Sequence, residues 1–320
     1  MVAMKPSLTD RSGRVLDYLR VSVTDACNYR CLYCGPGQTH GSLSLEQMLR
    51  ICTIFHRLGV DTIRITGGEP LVHPSVVEFV ASLSQMGISN LTMTTNASLL
   101  APTANALRKA GLQGVNVSLD ATEDILFSEL SGGFSPHPVV KGIEKALEVG
   151  LSVKLNCVPL RNTYQEQVRQ VMEFAYSHAI PVRFIELMPI GTHPSLHGVS
   201  ISDVTSFLTN EYGVSNASLR SDSGKGPASY RNFAGVEVGL IGALTNCFCS
   251  SCNRLRLTSN GMLRSCLYHE DSLDLHTLLE QEKTDEEIQI LIRRFVYKKP
   301  LRHDFEHQGI KDMTLASLGG

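Results

Sequence analysis

Residues 18–34 read YLRVSVTDACNYRCLYC. The run Tyr18 to Val23 alternates and is β-branched enough to be a strand, and it delivers the chain straight into Thr24-Asp25-Ala26-Cys27. Three thiols, Cys27, Cys31 and Cys34, then fall within eight residues. A loop at the C-terminal end of a strand is where α/β folds gather their functional groups. Thiols packed this closely read as ligands of an iron–sulfur cluster. Such clusters are ordinarily held by four cysteines, so three would leave one iron of a four-iron cluster without a protein thiolate and open to substrate chemistry.

Working outward, the strand-then-helix unit repeats. Ser44 to Leu58 places Leu45, Met48, Cys52 and Phe55 on one face, opens on Ser44 with Gln47 three residues on, and stops at Gly59, which predicts a capped helix with Cys52 in its core. Strand Thr62 to Thr66 leads into the turn Gly67-Gly68-Glu69-Pro70, then a helix from Ser75, with Glu78 at its third position, to Gly87. Strands Asn90 to Thr94, Gly114 to Leu119, Leu151 to Val158 and Val182 to Leu187 alternate with helices near Pro102 to Ala110, Val139 to Val149 and Thr163 to His178, the last with Glu166 at its third position. Six strands alternating with helices predict βα units in a parallel sheet. Periodicity alone does not separate an open sheet from a partial barrel. In either, Cys27, Gly68, Asn96, Asp120 and Met188 fall at the strands' C-terminal ends, around one pocket.

Past Gly191 the character changes. Residues 191–198 read as a linker, Ser202 to Tyr212 as a short helix, and Ser215 to Ser229 as a polar, glycine-rich loop. Val236 to Ala243 and Arg254 to Thr258 read as strands, and Asn260-Gly261 between LRLTS and MLRSC predicts a type I′ hairpin. Helices are expected over about Asp271 to Gln281 and Thr284 to Tyr297. Two domains are expected, residues 1–200 and residues 201–320.

At 320 residues the chain can bury a large core without staples. A net charge of −2 argues against nucleic acid or an anionic membrane as partner, so any anion binding must come from local patches. No apolar run has membrane-spanning length and the first twenty residues lack the apolar core of a signal peptide, which points to the cytoplasm. Six of the nine cysteines form two tight groups, and Cys52, Cys157 and Cys247 stand apart. In a reducing compartment that grouping favours metal or cofactor ligation over disulfides.

The second group, Cys249, Cys252 and Cys266, is spaced C-X2-C-X13-C. Zinc is the bland reading for both groups, with His40 completing the first, but structural zinc wants four closed ligands and a zinc ribbon wants a second C-X2-C. Cys247 lies two residues before Cys249 and on an extended segment would share its face, so it is either a further ligand or a small buried residue. Arg20, Arg64, Lys154 and Arg183 lie within apolar strand runs, where an unpaired charge is costly. A polyanion is their natural partner, and planar guanidinium groups suit phosphate oxygens.

C-X3-C-X2-C after a first strand, with Tyr33 inside it and Gly-Gly-Glu-Pro after the second strand, resembles the radical S-adenosylmethionine (SAM) superfamily. C-X2-C-X13-C containing Cys252-Asn253-Arg254-Leu255-Arg256-Leu257 is similar to the molybdenum cofactor biosynthesis protein A family, the GTP 3′,8-cyclases. So are Val115-Asn116-Val117-Ser118-Leu119-Asp120, Arg183-Phe184-Ile185-Glu186-Leu187-Met188 and the terminal Gly319-Gly320.

The resemblance implies a partial (β/α)6 TIM-type barrel with a smaller C-terminal iron–sulfur domain, two 4Fe-4S clusters and SAM. Cys27, Cys31, Cys34, Cys249, Cys252 and Cys266 would be the metal ligands. SAM would meet Tyr33, Gly68, Glu69, Asn96, Ser118 and Met188, the glycine letting backbone approach the bound methionine moiety. GTP would meet Arg20, Arg64, Thr94, Lys154, Arg183, Arg254, Leu255 and Arg256, and Arg254, Arg256, Gly319 and Gly320 would assist turnover. The implied reaction is radical cyclisation. A 5′-deoxyadenosyl radical takes hydrogen from ribose C3′ of GTP, the carbon radical attacks guanine C8, and one electron quenches the product radical.

Expected partners are GTP, an electron donor, the cyclic pyranopterin monophosphate synthase that takes the product and, as an open possibility, a second copy of the chain. Rival readings are a two-cluster radical SAM enzyme acting on a peptide or another small molecule, and a non-enzymatic electron-transfer or zinc-binding protein. Departures from the family pattern are Thr62 for lysine, Gly35 for methionine, Ala97 for glycine and Cys247 for proline.

Overall fold

Alternation along each strand shapes the barrel. In this computed structural model, which describes residues 7–35, 41–190, 195–213, 216–217, 226–303 and 314–318, β1 (Tyr18–Ser22), β2 (Thr62–Thr66), β3 (Asn90–Thr95), β4 (Gly114–Ser118), β5 (Ser152–Cys157) and β6 (Val182–Ile185) are parallel and lie side by side in chain order. Helices α1 (Leu45–Arg57), α2 (Val76–Gln85), α3 (Leu100–Lys109), α4 (Asp124–Ser131), α5 (His137–Glu148) and α6 (Tyr164–His178) make the crossovers. Right-handed crossovers between strands in consecutive order put all helices on one face of the sheet. That face is apolar: Leu19, Val21, Ile63, Ile65, Leu91, Met93, Val115, Val117, Leu155 and Phe184 are all buried in one core. The intervening residues, Arg20, Arg64, Thr92, Thr94, Asn116, Lys154, Asn156 and Arg183, line the opposite, concave face.

The rest of the chain extends this sheet. It contributes α7 (Ile201–Tyr212), β7 (Asn216–Ala217), β8 (Ser229–Phe233), β9 (Val236–Ile241), β10 (Arg254–Leu257), β11 (Met262–Arg264), β12 (Ser272–Asp274), α8 (Leu275–Glu280) and α9 (Asp285–Tyr297). Strand β9 pairs in parallel with β6, and β10 in parallel with β1. The result is one twelve-stranded sheet in the order β12-β11-β10-β1-β2-β3-β4-β5-β6-β9-β8-β7, a partial barrel lengthened at both edges.

Several local expectations are corrected. Within the segment expected as a loop over Ser215 to Ser229, Asn216–Ala217 pairs as β7 with β8 and Ser229 opens β8, which pairs with β9, while residues 218–225 lie outside the described residues; α4 is a further helix beyond those expected. The helix expected from Asp271 begins only at Leu275, because Ser272–Asp274 pairs with β11 and Asp274 then caps the helix by accepting from Thr277 N at 2.9 Å. At Asn260-Gly261 only Gly261 has a left-handed φ, +89°. Gly261 N donates to Thr258 O and Thr258 N to Met262 O, each at 3.0 Å, so the hairpin has a three-residue loop with glycine last instead of a type I′ turn. The Ser44–Gln47 capping box forms, whereas Ser75 and Thr163 make no capping bond to the backbone.

Two family departures fall at left-handed backbone positions. Gly35 takes φ +76°, a conformation that suits glycine better than methionine. Ala97 takes φ +60°, where the family's glycine would be unstrained.

Candidate active site

The first cysteine triad lies beyond the end of β1. Cys27 is exposed and Cys31 and Cys34 are half-buried. Neighbouring chain fixes the loop: Arg30 N and Leu32 N donate to Ser131 O and Leu130 O, and Tyr29 stacks on Phe134 at 4.3 Å between ring centres. The turn Gly67-Gly68-Glu69-Pro70 clamps the loop's entry, with Gly68 N donating to Thr24 O at 2.7 Å and Glu69 N to Ala26 O at 2.8 Å. A Cβ on Gly68 would stand 2.4 Å from Ala26 O and 2.5 Å from Asp25 O. Close approach of chain to chain therefore already requires this glycine. The Glu69 carboxylate accepts from Leu71 N, Thr95 Oγ1 and Asn96 N at 3.0, 2.6 and 2.6 Å, tying the turn to the end of β3. Burial nevertheless pushes its carboxyl up to about 7.

Around these thiols the other SAM-side candidates assemble. Tyr33 donates its hydroxyl proton to Asp120 Oδ2 at 2.6 Å, and Val158 N donates to Asp120 Oδ1 at 2.8 Å. Asn96 Nδ2 donates to Asn28 Oδ1 at 2.9 Å. A small cavity beside Cys31 is lined by Tyr29, Asn96, Ser118 and Asp120. Asp120, a carboxylate at the tip of β4 and the last residue of the family-like Val115–Asp120 stretch, is a site residue that the expected SAM contacts omit. Met188 packs in an apolar cluster with Tyr33, Cys34, Ile190, Leu315 and Leu318, so its side chain has a packing role. Burial and the neighbouring Cys27 push the Cys34 thiol up to about 12.

The second triad is built differently. Cys249 opens a short turn, and Cys252 N donates back to Cys249 O at 3.2 Å. Two buried cations that sequence reasoning missed hold it: Arg14 Nη1 donates to Cys249 O at 2.7 Å, and Lys299 Nζ donates to Arg254 O at 3.0 Å and to Ser265 O. Burial would raise the Cys252 thiol, but Arg254, Lys299 and Arg256 outweigh it and hold Cys252 at about 7. A thiol poised there is readily ionised for ligation.

Between the triads, sheet register gathers the cations. Arg20 stands opposite Arg64 on one side and Arg256 on the other, and Arg254 opposite Tyr18. Burial and Arg256, with Arg64 and Arg254, hold the Arg20 guanidinium well below its ordinary range. Arg64 donates to Thr92 Oγ1 at 3.2 Å, Lys154 lies over the Tyr230 ring and Arg254 over Phe248. Arg183 donates to Asn156 Oδ1 at 2.9 Å and to Asn116 Oδ1. Thr94 Oγ1 is buried and has no hydrogen-bond partner among the described residues. Leu255 is fully buried on the helix-facing side, which leaves only its backbone for any contact on the concave face. Gly319 and Gly320 lie outside the described residues, but the segment before them reaches the site: Leu315 N donates to Cys34 O at 3.2 Å and Arg256 Nη1 to Leu318 O at 3.4 Å.

Residues 21–175 match the family model for the Radical SAM superfamily and residues 180–305 that for Molybdenum Cofactor Synthesis C. Relatives named GTP 3′,8-cyclase include those of Clostridium perfringens strain SM101 (34% identical, covering 93% of this chain and 95% of the relative) and Nitrobacter winogradskyi (38%, 93% and 90%). That of Hydrogenovibrio crunogenus is 35% identical over 98% of this chain and all of its own length. Among solved structures, Streptococcus suis SuiB bound to S-adenosylmethionine superposes with a TM-score of 0.63 at 17% identity, covering 90% of this chain and 65% of that one. That likeness shows a shared fold. The chain belongs to the GTP 3′,8-cyclase family of the radical SAM superfamily, enzymes that work with S-adenosylmethionine and an iron–sulfur cluster.

Proposed function

We propose that this protein converts GTP to 3′,8-cyclo-7,8-dihydro-GTP, the first step of molybdenum cofactor biosynthesis. The observation that carries the reading is the meeting of Arg20, Arg64, Arg254 and Arg256 on one concave face beside Cys252. Like charges brought together under burial raise the energy of the empty site, and a nucleoside triphosphate would relieve it.

Each triad supplies three thiols, a donor set that fits a four-iron cluster with one open iron. We assign Cys27, Cys31 and Cys34 to one cluster and Cys249, Cys252 and Cys266 to a second. Bound there, the first cluster with SAM supplies a reducing electron and a carbon-radical source, and the second supplies an iron for the guanine base. The chain's own residues do the rest. Glu69, through its three donors, holds the turn against the first loop, and Tyr33 fixes Asp120, which lines the cavity with Asn96 and Ser118. Arg20, Arg64, Lys154, Arg254 and Arg256 bind and orient the triphosphate and ribose. Thr94 Oγ1 offers a hydroxyl whose partner would be the nucleotide. Arg183 is positioned by Asn116 and Asn156 at the far side of the same face. Arg256 donates to Leu318 O, the last described residue before the double-glycine end.

Residues 1–200 would carry the radical chemistry and residues 201–320 the second cluster and its share of the GTP-binding residues. The product would pass in the cytoplasm to cyclic pyranopterin monophosphate synthase, and a separate electron donor would serve the clusters.

Anaerobic reconstitution with SAM, reductant and GTP deuterated at C3′ tests the assignment. Deuterium is expected in 5′-deoxyadenosine. If GTP neither reacts nor promotes SAM cleavage, the substrate assignment fails.

A further inference from the structure

Beside the second triad lies a ligand set that shares Cys249 with it and adds two residues, Cys247 and His303, that the proposed reaction does not use. The Sγ atoms of Cys247 and Cys249 and a ring nitrogen of His303 all lie within 4.8 Å of one another. Ligands of one tetrahedral zinc ion, with bonds of about 2.3 Å to sulfur, stand about 3.8 Å apart. The three groups therefore need only small movements to close on a single ion. Two thiolates and an imidazole form a zinc donor set that leaves a fourth position for water. Cys247 is exposed, which gives the ion a way in, and Arg14 holds the Cys249 carbonyl from behind at 2.7 Å.

We propose that Cys247, Cys249 and His303 form a mononuclear site for a thiophilic divalent cation, zinc foremost, that competes with cluster assembly at Cys249, Cys252 and Cys266. Zinc entry forms two Zn–S bonds and one Zn–N bond and releases the thiol protons to solvent, with no change of oxidation state. Cys249 belongs to both sets, so its sulfur serves one or the other. The competition rests on the cluster assignment made above; the zinc site itself does not.

Cobalt(II) is the probe, because its thiolate charge-transfer bands report ligands directly. Full-length apo-protein with Cys27, Cys31 and Cys34 replaced by alanine, titrated anaerobically, is expected to bind one cobalt, displaceable by zinc. Adding Cys252→Ser and Cys266→Ser should leave that spectrum in place. Cys247→Ser or His303→Ala should each weaken binding at least about tenfold, the scale of loss when even an outer partner of a metal site is disturbed. Absence of cobalt binding overturns the site. So does a spectrum that survives Cys247→Ser and His303→Ala but vanishes with Cys252→Ser and Cys266→Ser.

In protein with all nine cysteines, zinc preloading should cut reconstituted iron from about eight to about four per chain, and Cys247→Ser should restore it. Equal iron with and without zinc overturns the competition. Iron near four without any zinc instead refutes the second cluster, and with it the competition, while the cobalt titration still decides the zinc site.

Discussion

A half-buried guanidinium beside three others, as Arg20 is beside Arg256, Arg64 and Arg254, raises the free energy of the ligand-free fold through lost hydration and like-charge repulsion. Arg20→Met keeps the volume and removes the charge. It is expected to stabilise the ligand-free protein by about 1 kcal/mol or more, since apolar replacement of buried charge is often stabilising. It should also weaken GTP binding about tenfold to a hundredfold, the worth of a hydrogen bond to a charged group. Denaturant midpoints and calorimetry read the two effects, and a variant that is less stable with GTP affinity intact would place Arg20 in the fold alone. Gly68→Ala tests the opposite case. Its Cβ would meet Ala26 O at 2.4 Å with only backbone to displace, so a loss of about 1–3 kcal/mol is expected, with iron uptake at the first triad falling alongside. Unaltered stability and iron content would show that the Thr24–Ala26 backbone yields freely. At this scale the six clustered cysteines were legible because spacing in the chain is itself the signal. Arg14 and Lys299 were not, because the groups they hold, Cys249 O and Arg254 O, lie far along the chain from them.

Elements are joined by single polar side chains, and Glu186 is the clearest. Its carboxylate accepts from Ile201 N at 2.9 Å, Leu244 N at 2.7 Å, Thr245 N at 3.0 Å and Thr245 Oγ1, so it joins the end of β6 to the start of α7 and to the turn after β9. Burial would push this carboxyl up, but the donors outweigh it and hold it below its ordinary value. A depressed carboxyl contributes stability that is fully present above the unfolded value, about 4.3, and is lost as pH falls through the folded one. Glu186→Gln should therefore destabilise by about 1–3 kcal/mol near neutrality, and the gap from the parent protein should narrow on acidification below about pH 4. Urea midpoints at both pH values give the comparison, and a gap independent of pH would show that the ionised form is not what the donors hold. The six barrel strands were readable because apolar residues under the helices alternate with polar ones on the concave face, as in Leu91-Thr92-Met93-Thr94. Strands β8 and β12 were not: their exposed, polar sequences carry no such alternation of core and site, and pairing with β9 and β11 defines them.

Across the whole molecule, the change in sequence character near residue 200 does not coincide with an end of the sheet. Strand β9 covers the edge of β6 through the register Val182↔Val238 to Ile185↔Ile241, and β10 covers the edge of β1 from Tyr18↔Arg254 to Val21↔Leu257. A chain cut after residue 200 would lose both partners and expose the backbone of two apolar strands, the circumstance in which sheet edges recruit other chains. Its concave face would also keep Arg20 and Arg64 without the ligands of the second triad. The fragment 1–200 is therefore expected to aggregate on expression, while co-expression with residues 201–320 should recover a soluble complex. Sedimentation velocity and far-ultraviolet circular dichroism distinguish the outcomes. A soluble, monomeric 1–200 fragment with native helix content would show that the six-stranded unit folds alone, and that the second half is an addition to a finished barrel instead of part of its sheet.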